Sequence, residues 1–126
     1  MINIGSKNSI VNHFLRDLRD INIQQDRMRF RRNMERVGEI FAYEISKTMN
    51  FEPKEVITSL GTAEIPVINS TPVVATILRA GLPLHQGILN YFDNADNAFV
   101  SAYREHRKDG EFDIQIEYVS SPEIEN

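Results

Sequence analysis

The stretch TPVVATILRAGLPLHQG, Thr71 to Gly87, decides how the rest of the chain is read. Within it, Pro72 to Leu78 is seven residues long, rich in β-branched side chains and apolar on both faces. A strand buried in a parallel sheet has that composition, whereas a half-exposed hairpin strand alternates. The apolar run stops at Arg79, and Gly81 and Pro83 follow at once. Gly81 admits backbone angles that a side chain forbids, and Pro83 suits a first helical turn, where a missing N–H costs nothing. Leu84, Ile88 and Phe92 then recur at helical spacing. The pattern predicts strand, sharp turn and helix, with Arg79 in the turn at the carboxyl end of a buried strand. Open α/β sheets bind ligands at that edge, and helix N-termini there accept phosphate through free N–H groups and the macrodipole. Arg79 is thus a candidate anion ligand. An arginine after a strand can equally be a solvated loop residue or a surface ion-pair partner.

Downstream, the dense turn signal DNADN (Asp93 to Asn97) ends the helix, and Ala98 to Tyr103 forms a second short apolar strand followed by Arg104. If the two strands belong to one right-handed β-α-β unit, Arg79 and Arg104 emerge at the same carboxyl edge and face one cleft. Two cations there can grip a diphosphate or offset charge on a leaving group. Lys108 to Gly110 reads as a turn. Phe112, Ile114, Ile116 and Tyr118 alternate with Asp113, Gln115 and Glu117, a half-buried strand returning as a hairpin. Ser120 to Asn126 is polar and acidic and is expected to fray.

Upstream, Ser9 is placed to cap a short amphipathic helix whose stripe is Val11, Phe14, Leu15 and Leu18; His13 lies off it. Asp20 to Asp26 reads as a polar connector. From Arg27 to about Met49, the stripe Phe30, Met34, Val37, Phe41, Ile45 and Met49 predicts a longer helix with one buried face. Around it sit Arg27, Arg29, Arg31, Arg32 and Arg36. Such a cluster beside Phe30 can contact RNA, but it is also the charged outer face any surface helix carries. Glu44 is expected to be half-buried beside a cation. Asn50 to Pro53 reads as a break, and Val56 to Leu60 and Ile65 to Ile68 as strands about a turn at Gly61 to Ala63. Pro66 cannot donate to a ladder, which places this hairpin at a sheet edge or outside the main sheet.

Composition bounds the function classes. The 126 residues, 41% of them hydrophobic, suffice for one domain, 1–126, that hides roughly two thirds of its unfolded surface. With no cysteine there are no disulfides, thiolate metal sites or cysteine nucleophiles, and a cytoplasmic setting is expected. No apolar run approaches the ~18 to 20 residues of a membrane span. A formal charge of -4 argues against nucleic acid as a partner of the whole surface. P-loop, paired-glycine, zinc-helix and nucleophile-elbow motifs are all missing, and the three histidines are scattered.

The segment ILRAGL after an apolar strand closely resembles the uracil phosphoribosyltransferases, in which it is the diphosphate-binding loop of a type I phosphoribosyltransferase fold. FRRNMERVGEIFAYE (Phe30 to Glu44) is similar to that family's second-helix signature, VNHFLRDLRD (Val11 to Asp20) to its first helix, and SAYREH (Ser101 to His106) to the strand that brings a second arginine to the substrate. The resemblance spans essentially the whole chain but only the front part of the family. It implies an α/β fold: N-terminal helices, the first part of a parallel sheet and a β-hairpin arm. It also implies transfer of a phosphoribosyl group from phosphoribosyl diphosphate to uracil, giving uridine monophosphate and diphosphate. By the same resemblance, magnesium arrives on the diphosphate, Arg79 and Arg104 bind phosphoribosyl diphosphate, and Ala80 and Gly81 form the loop backbone with an unusual or cis peptide near Leu78 and Arg79. No protein metal ligand and no catalytic residue is assigned, and the nucleobase pocket lies beyond Asn126 in the family pattern. The 126 residues alone are expected to be inactive and to pair as a homodimer. The competing expectations are a noncatalytic nucleotide- or RNA-binding regulator using the Arg27 to Arg36 face, and a purely structural oligomerisation fragment.

Overall fold

In the computed structural model, which describes residues 3–106 and 112–123, helix α1 (Val11–Arg19) lies against α2 (Arg27–Ser46). Val11 is fully buried between them, while Phe14, Leu15 and Leu18 are half-buried. Ser9 does not cap α1. The position before the first helical residue is Ile10, which has no side chain able to cap, and Ser9 contributes its carbonyl, to the Asn12 N–H at 3.1 Å. The connector contains a 3-10 turn, Ile23–Gln25, and then a true cap: Asp26 accepts from the Met28 and Arg29 N–H groups at 3.1 and 3.0 Å. The Arg29 backbone bond is the largest of the contacts that hold the Asp26 carboxyl below its ordinary range.

The buried face of α2 differs from the expected stripe. Its buried residues are Asn33, Val37, Gly38 and Ala42, while Phe30 and Ile45 are exposed. The reason is that α2 serves two neighbours, α1 on one side and α3 (Leu82–Leu89) on the other, and the second contact selects for small size rather than apolarity. A Cβ on Gly38 would collide with the Leu84 carbonyl oxygen, and one on Gly87 with the Glu35 carbonyl oxygen. Each helix lays its backbone on the other at a glycine. Asn90, just past α3, adds amide bonds to Glu35 and Glu39 at 3.2 and 2.9 Å.

Two separate sheets follow. Among the described residues, strands β1 (Phe51–Thr58) and β2 (Gly61–Ile68) pair only with each other, so the hairpin stands outside the main sheet, one of the two places that Pro66 allowed. Its strands are longer than expected: the Asn50 to Pro53 break lies mostly within β1, and the turn is at Ser59 and Leu60, with Gly61 at φ 135° opening β2. Pro53 and Pro66 face one another across the ladder. In a two-stranded ribbon with no third strand to serve, two missing N–H donors are tolerated.

The main sheet has the order β3 (Val73–Leu78), β4 (Asp96–His106), β5 (Phe112–Ser120), with β3 and β4 parallel and β4 and β5 an antiparallel hairpin. This is the expected β-α-β unit with α3 as its crossover. The Lys108 to Gly110 turn lies outside the described residues. One expectation for β3 fails: it is not buried on both faces. Val74 is buried beneath α3, but Val73, Ala75 and Ile77 are exposed, Ile77 at 62%. Among the described residues no helix lies on that far face.

The glycine crossing gives a direct test. In an open helix, Gly→Ala gains about 1 kcal/mol, yet Gly38→Ala and Gly87→Ala should each lose about 1–3 kcal/mol here, because the added carbon meets backbone that cannot rotate away. Urea unfolding midpoints of the two variants decide the sign.

Candidate functional site

The loop after β3 is built by a few backbone bonds. The Gly81 N–H donates to the Ile77 carbonyl at 3.1 Å, the Leu82 N–H to Arg79 at 3.2 Å, and the His85 N–H to Gly81 at 3.0 Å. The Leu78–Arg79 peptide is cis, at the place the resemblance implied. Gly81 is needed for closeness rather than for its angles, which are ordinary helical ones at φ -74°. A side chain there would strike the Thr76 hydroxyl and crowd the Ile77 carbonyl. Pro83 sits in the first turn of α3, as expected. Since the Gly81 and Leu82 N–H groups are engaged within the loop, the charge offered to an anion is chiefly the Arg79 guanidinium.

Arg79 is exposed and has no carboxylate partner among the described residues. Three arginines of α2 differ. Arg29 is paired with Asp17 at 3.8 Å and Asp26 at 3.5 Å, and Arg32 with Glu35 at 2.8 Å. Arg36 donates to Asn33 Oδ1 at 3.1 Å and lies 5.2 Å over the Phe14 ring. The hydrogen bond from Arg32, then that from Asn90, holds the Glu35 carboxyl below its ordinary 4.5, so this pair is charged on both sides at neutral pH. Arg27 and Arg31, also exposed on α2, have no carboxylate partner among the described residues, so this face is a solvated surface whose charge is only partly compensated. Glu44 is half-buried, with Lys47 Nζ at 2.7 Å, matching the expectation of a cationic neighbour.

Register places Leu78 beside Ser101, so Arg104, opposite Ile114 in β4, follows at the same carboxyl end of the sheet as Arg79. The Arg104 side chain, and with it the shared cleft expected of the two arginines, lies outside the described residues.

Sequence reasoning missed His85. It is only 5% exposed, on the face of α3 that meets the sheet, with Nε2 2.7 Å from Asn97 Oδ1 and its ring 5.2 Å from that of Phe99. The Asn97 amide nitrogen faces the Ala95 carbonyl at 3.4 Å, which leaves Oδ1 to accept a proton from Nε2. His85 therefore ties the crossover helix to β4. Its signal was available: it stands four residues after Gly81 and three before Ile88, on the stripe facing the strands. His13, by contrast, is exposed, as its place off the α1 stripe implied.

A parallel β-α-β unit with an exposed arginine at the carboxyl edge of its sheet defines an α/β protein of the open-sheet class. Comparison with known proteins narrows the class: the chain belongs to the uracil phosphoribosyltransferase family, whose sequence profile matches residues 5–120. It is 56% identical over 124 residues to a uracil phosphoribosyltransferase of Porphyromonas gingivalis, a match covering 98% of this chain and 57% of that one. A uracil phosphoribosyltransferase of Methanococcus maripaludis is 36% identical over 105 residues, covering 82% of this chain and 45% of the relative. Among solved structures, the AQ2163 protein from Aquifex aeolicus superposes with a TM-score of 0.74 at 28% identity, over 92% of this chain and 54% of that chain. The chain thus spans about half the length of the relatives it matches.

Because Arg79 is exposed and has no carboxylate partner among the described residues, its loss should spare the fold, and any anion bound through it should be weakened. Arg79→Ala is expected to weaken inorganic diphosphate binding about 10- to 150-fold, the worth of a charged hydrogen bond of about 1.5–3 kcal/mol, with an unchanged melting temperature in the absence of ligand. Calorimetric titration and thermal melting check the two halves.

Proposed function

We propose that this chain supplies the diphosphate-binding portion of a uracil phosphoribosyltransferase, which joins uracil to phosphoribosyl diphosphate and releases diphosphate and uridine monophosphate. The observation that carries this is Arg79: exposed, uncompensated and set at the carboxyl edge of a parallel pair within residues that match the family. The reaction breaks the bond between the sugar C1′ and a diphosphate oxygen and forms one to a uracil nitrogen, with positive charge developing on the sugar and negative charge on the leaving group. Arg79 donates N–H groups to the diphosphate oxygens and stabilises the departing charge, while Ala80 and Gly81 bring the loop backbone close to the ligand. Arg104 is proposed as the second cation on the same donor. No side chain of this chain is required as a nucleophile.

Magnesium is proposed to be bound through the diphosphate. Among the described residues no group of three His, Asp or Glu side chains converges to hold an ion, and no step is derived through one. No helix among the described residues is long and apolar enough to cross a membrane. A cytoplasmic location, with uracil and phosphoribosyl diphosphate as substrates, is part of the same proposal. So is a homodimer, with the 98–119 hairpin or the first helices at the contact: Ile114, Ile116, Tyr118 and Val119 of β5 are each more than half exposed.

Orientation of two reactants supplies about 7–11 kcal/mol of barrier reduction, and an anion loop by itself does not provide it. Purified chain supplied with uracil, phosphoribosyl diphosphate and magnesium should therefore bind the donor and form no uridine monophosphate above an Arg79→Ala control. Donor binding that is identical in that control would refute the assignment of Arg79. For the dimer, light scattering should return twice the chain mass at high concentration, and Ile116→Glu should return it to the monomer.

A further inference from the structure

Helix α3 is eight residues long, and a helix that short holds its place through tertiary contacts rather than through propensity. The glycine crossing and the Asn90 amide tie it to α2. Toward the sheet, His85 is the one side chain of α3 among the described residues that hydrogen-bonds to a strand, with Nε2 2.7 Å from Asn97 Oδ1. The same residue is bound to the anion loop by its main chain, since its N–H donates to the Gly81 carbonyl at 3.0 Å. A second path joins the same residues. Gly81 lies over the Thr76 hydroxyl, Thr76 stands beside Phe99 in the parallel register, and the Phe99 ring is 5.2 Å from that of His85. The loop that carries Arg79 therefore rests on a closed circuit of Gly81, Thr76, Phe99 and His85. For packing alone a histidine is a poor choice here, because its Nδ1 is buried and has no hydrogen-bond partner among the described residues. An apolar side chain of like size leaves no buried polar atom unsatisfied, so the contact gains direction at a cost in stability.

We infer that His85, held by Asn97, is a positioning residue for the anion loop, acting through Gly81 to fix the direction in which Arg79 is presented to diphosphate. The inference rests on the reading of Arg79 as the diphosphate ligand given above. A hydrogen bond is directional where an apolar contact is not. A rotation of α3 about its axis that separates Nε2 from Asn97 Oδ1 would leave an apolar side chain in its place still packed on Phe99. The same rotation carries the Gly81 carbonyl, one turn earlier, and with it the backbone of Arg79 two residues before. An exposed guanidinium grips an anion tightly only when its backbone is already held, so loss of the latch lowers affinity by admitting orientations that do not bind, with no change of charge at the site.

The test compares His85→Leu, Asn97→Ala, the double variant and His85→Gln, whose side-chain amide brings an N–H close to the position of Nε2. Asn97 is at an exposed position, so its variant keeps the core intact even if His85→Leu does not fold. Amide hydrogen exchange reads the loop without any ligand. Protection of the Gly81, Leu82 and His85 N–H groups is expected to fall about tenfold in His85→Leu and in Asn97→Ala, with the amides of Val37 to Ala42 in α2 unchanged and His85→Gln close to the parent. Calorimetric titration with inorganic diphosphate should show binding about five- to tenfold weaker in the same two variants, no further loss in the double variant and recovery in His85→Gln. A residue that only supports the fold lowers the melting temperature, loosens all amides alike and leaves affinity unchanged below the melting range. That pattern overturns the inference, as do additive losses in the double variant or a loss that His85→Gln does not recover. Diphosphate binding indifferent to Arg79→Ala sinks the reading of the site instead, and the exchange pattern then decides on the latch by itself.

Discussion

The structure depends on the crossing of α2 and α3 at Gly38 and Gly87. Each glycine faces a carbonyl oxygen of the opposite helix at a separation that excludes any side chain. Such an approach brings many weakly attracting atoms into contact at once, and dispersion summed over them is what a missing side chain gives in return. Because α2 is anchored to α1 through Val11, the crossing fixes α3, and α3 in turn fixes the loop at its start. The Glu35 and Glu39 bonds to Asn90 prevent α3 from sliding along its own axis. His85 then fixes rotation, since its Nε2 reaches Asn97 only from one angular setting of the helix.

Charge is distributed by a similar logic. The N-terminal helices hold many arginines, but Asp17, Asp26 and Glu35 lie within reach of Arg16, Arg29 and Arg32, and their carboxyls are all held below the usual range by those contacts. Arg79 stands apart from that network, at the end of β3, with no carboxylate partner among the described residues.

Much of this was legible in the sequence because the strand–turn–helix signal in Thr71 to Gly87 is local. The β-branched run, Gly81 and Pro83 each act within a few residues, and the order of strands, the parallel pairing and the position of Arg79 follow from them. Pro66 likewise marked its hairpin as lying at a sheet edge or outside the main sheet, whereas Pro53, read as part of a break, lies within β1. What escaped was information that exists only between distant segments. The α2 stripe was read for apolarity, and the contact with α3 turned on size, so Gly38 and Ala42 passed unnoticed beside Phe30 and Ile45. The β3 run looks two-sided by composition, but only one of its faces is covered by described residues. His85 carries no meaning without Asn97 twelve residues later. In the loop after β3, the place of Arg79 at the strand end was recoverable from one dimension, whereas the engagement of its neighbours' N–H groups was not.

The β1–β2 hairpin makes its contacts chiefly with itself, and Ile57 and Leu60 at its tip are 90% and 99% exposed. A two-stranded ribbon without a supporting layer is marginally stable in water. Its opening therefore has a free energy of its own, set by the ladder and little by the rest of the molecule. Thermodynamically the chain is two cooperative units of unequal size: a body whose parts melt together, and an arm that samples open conformations many times for each time the body unfolds.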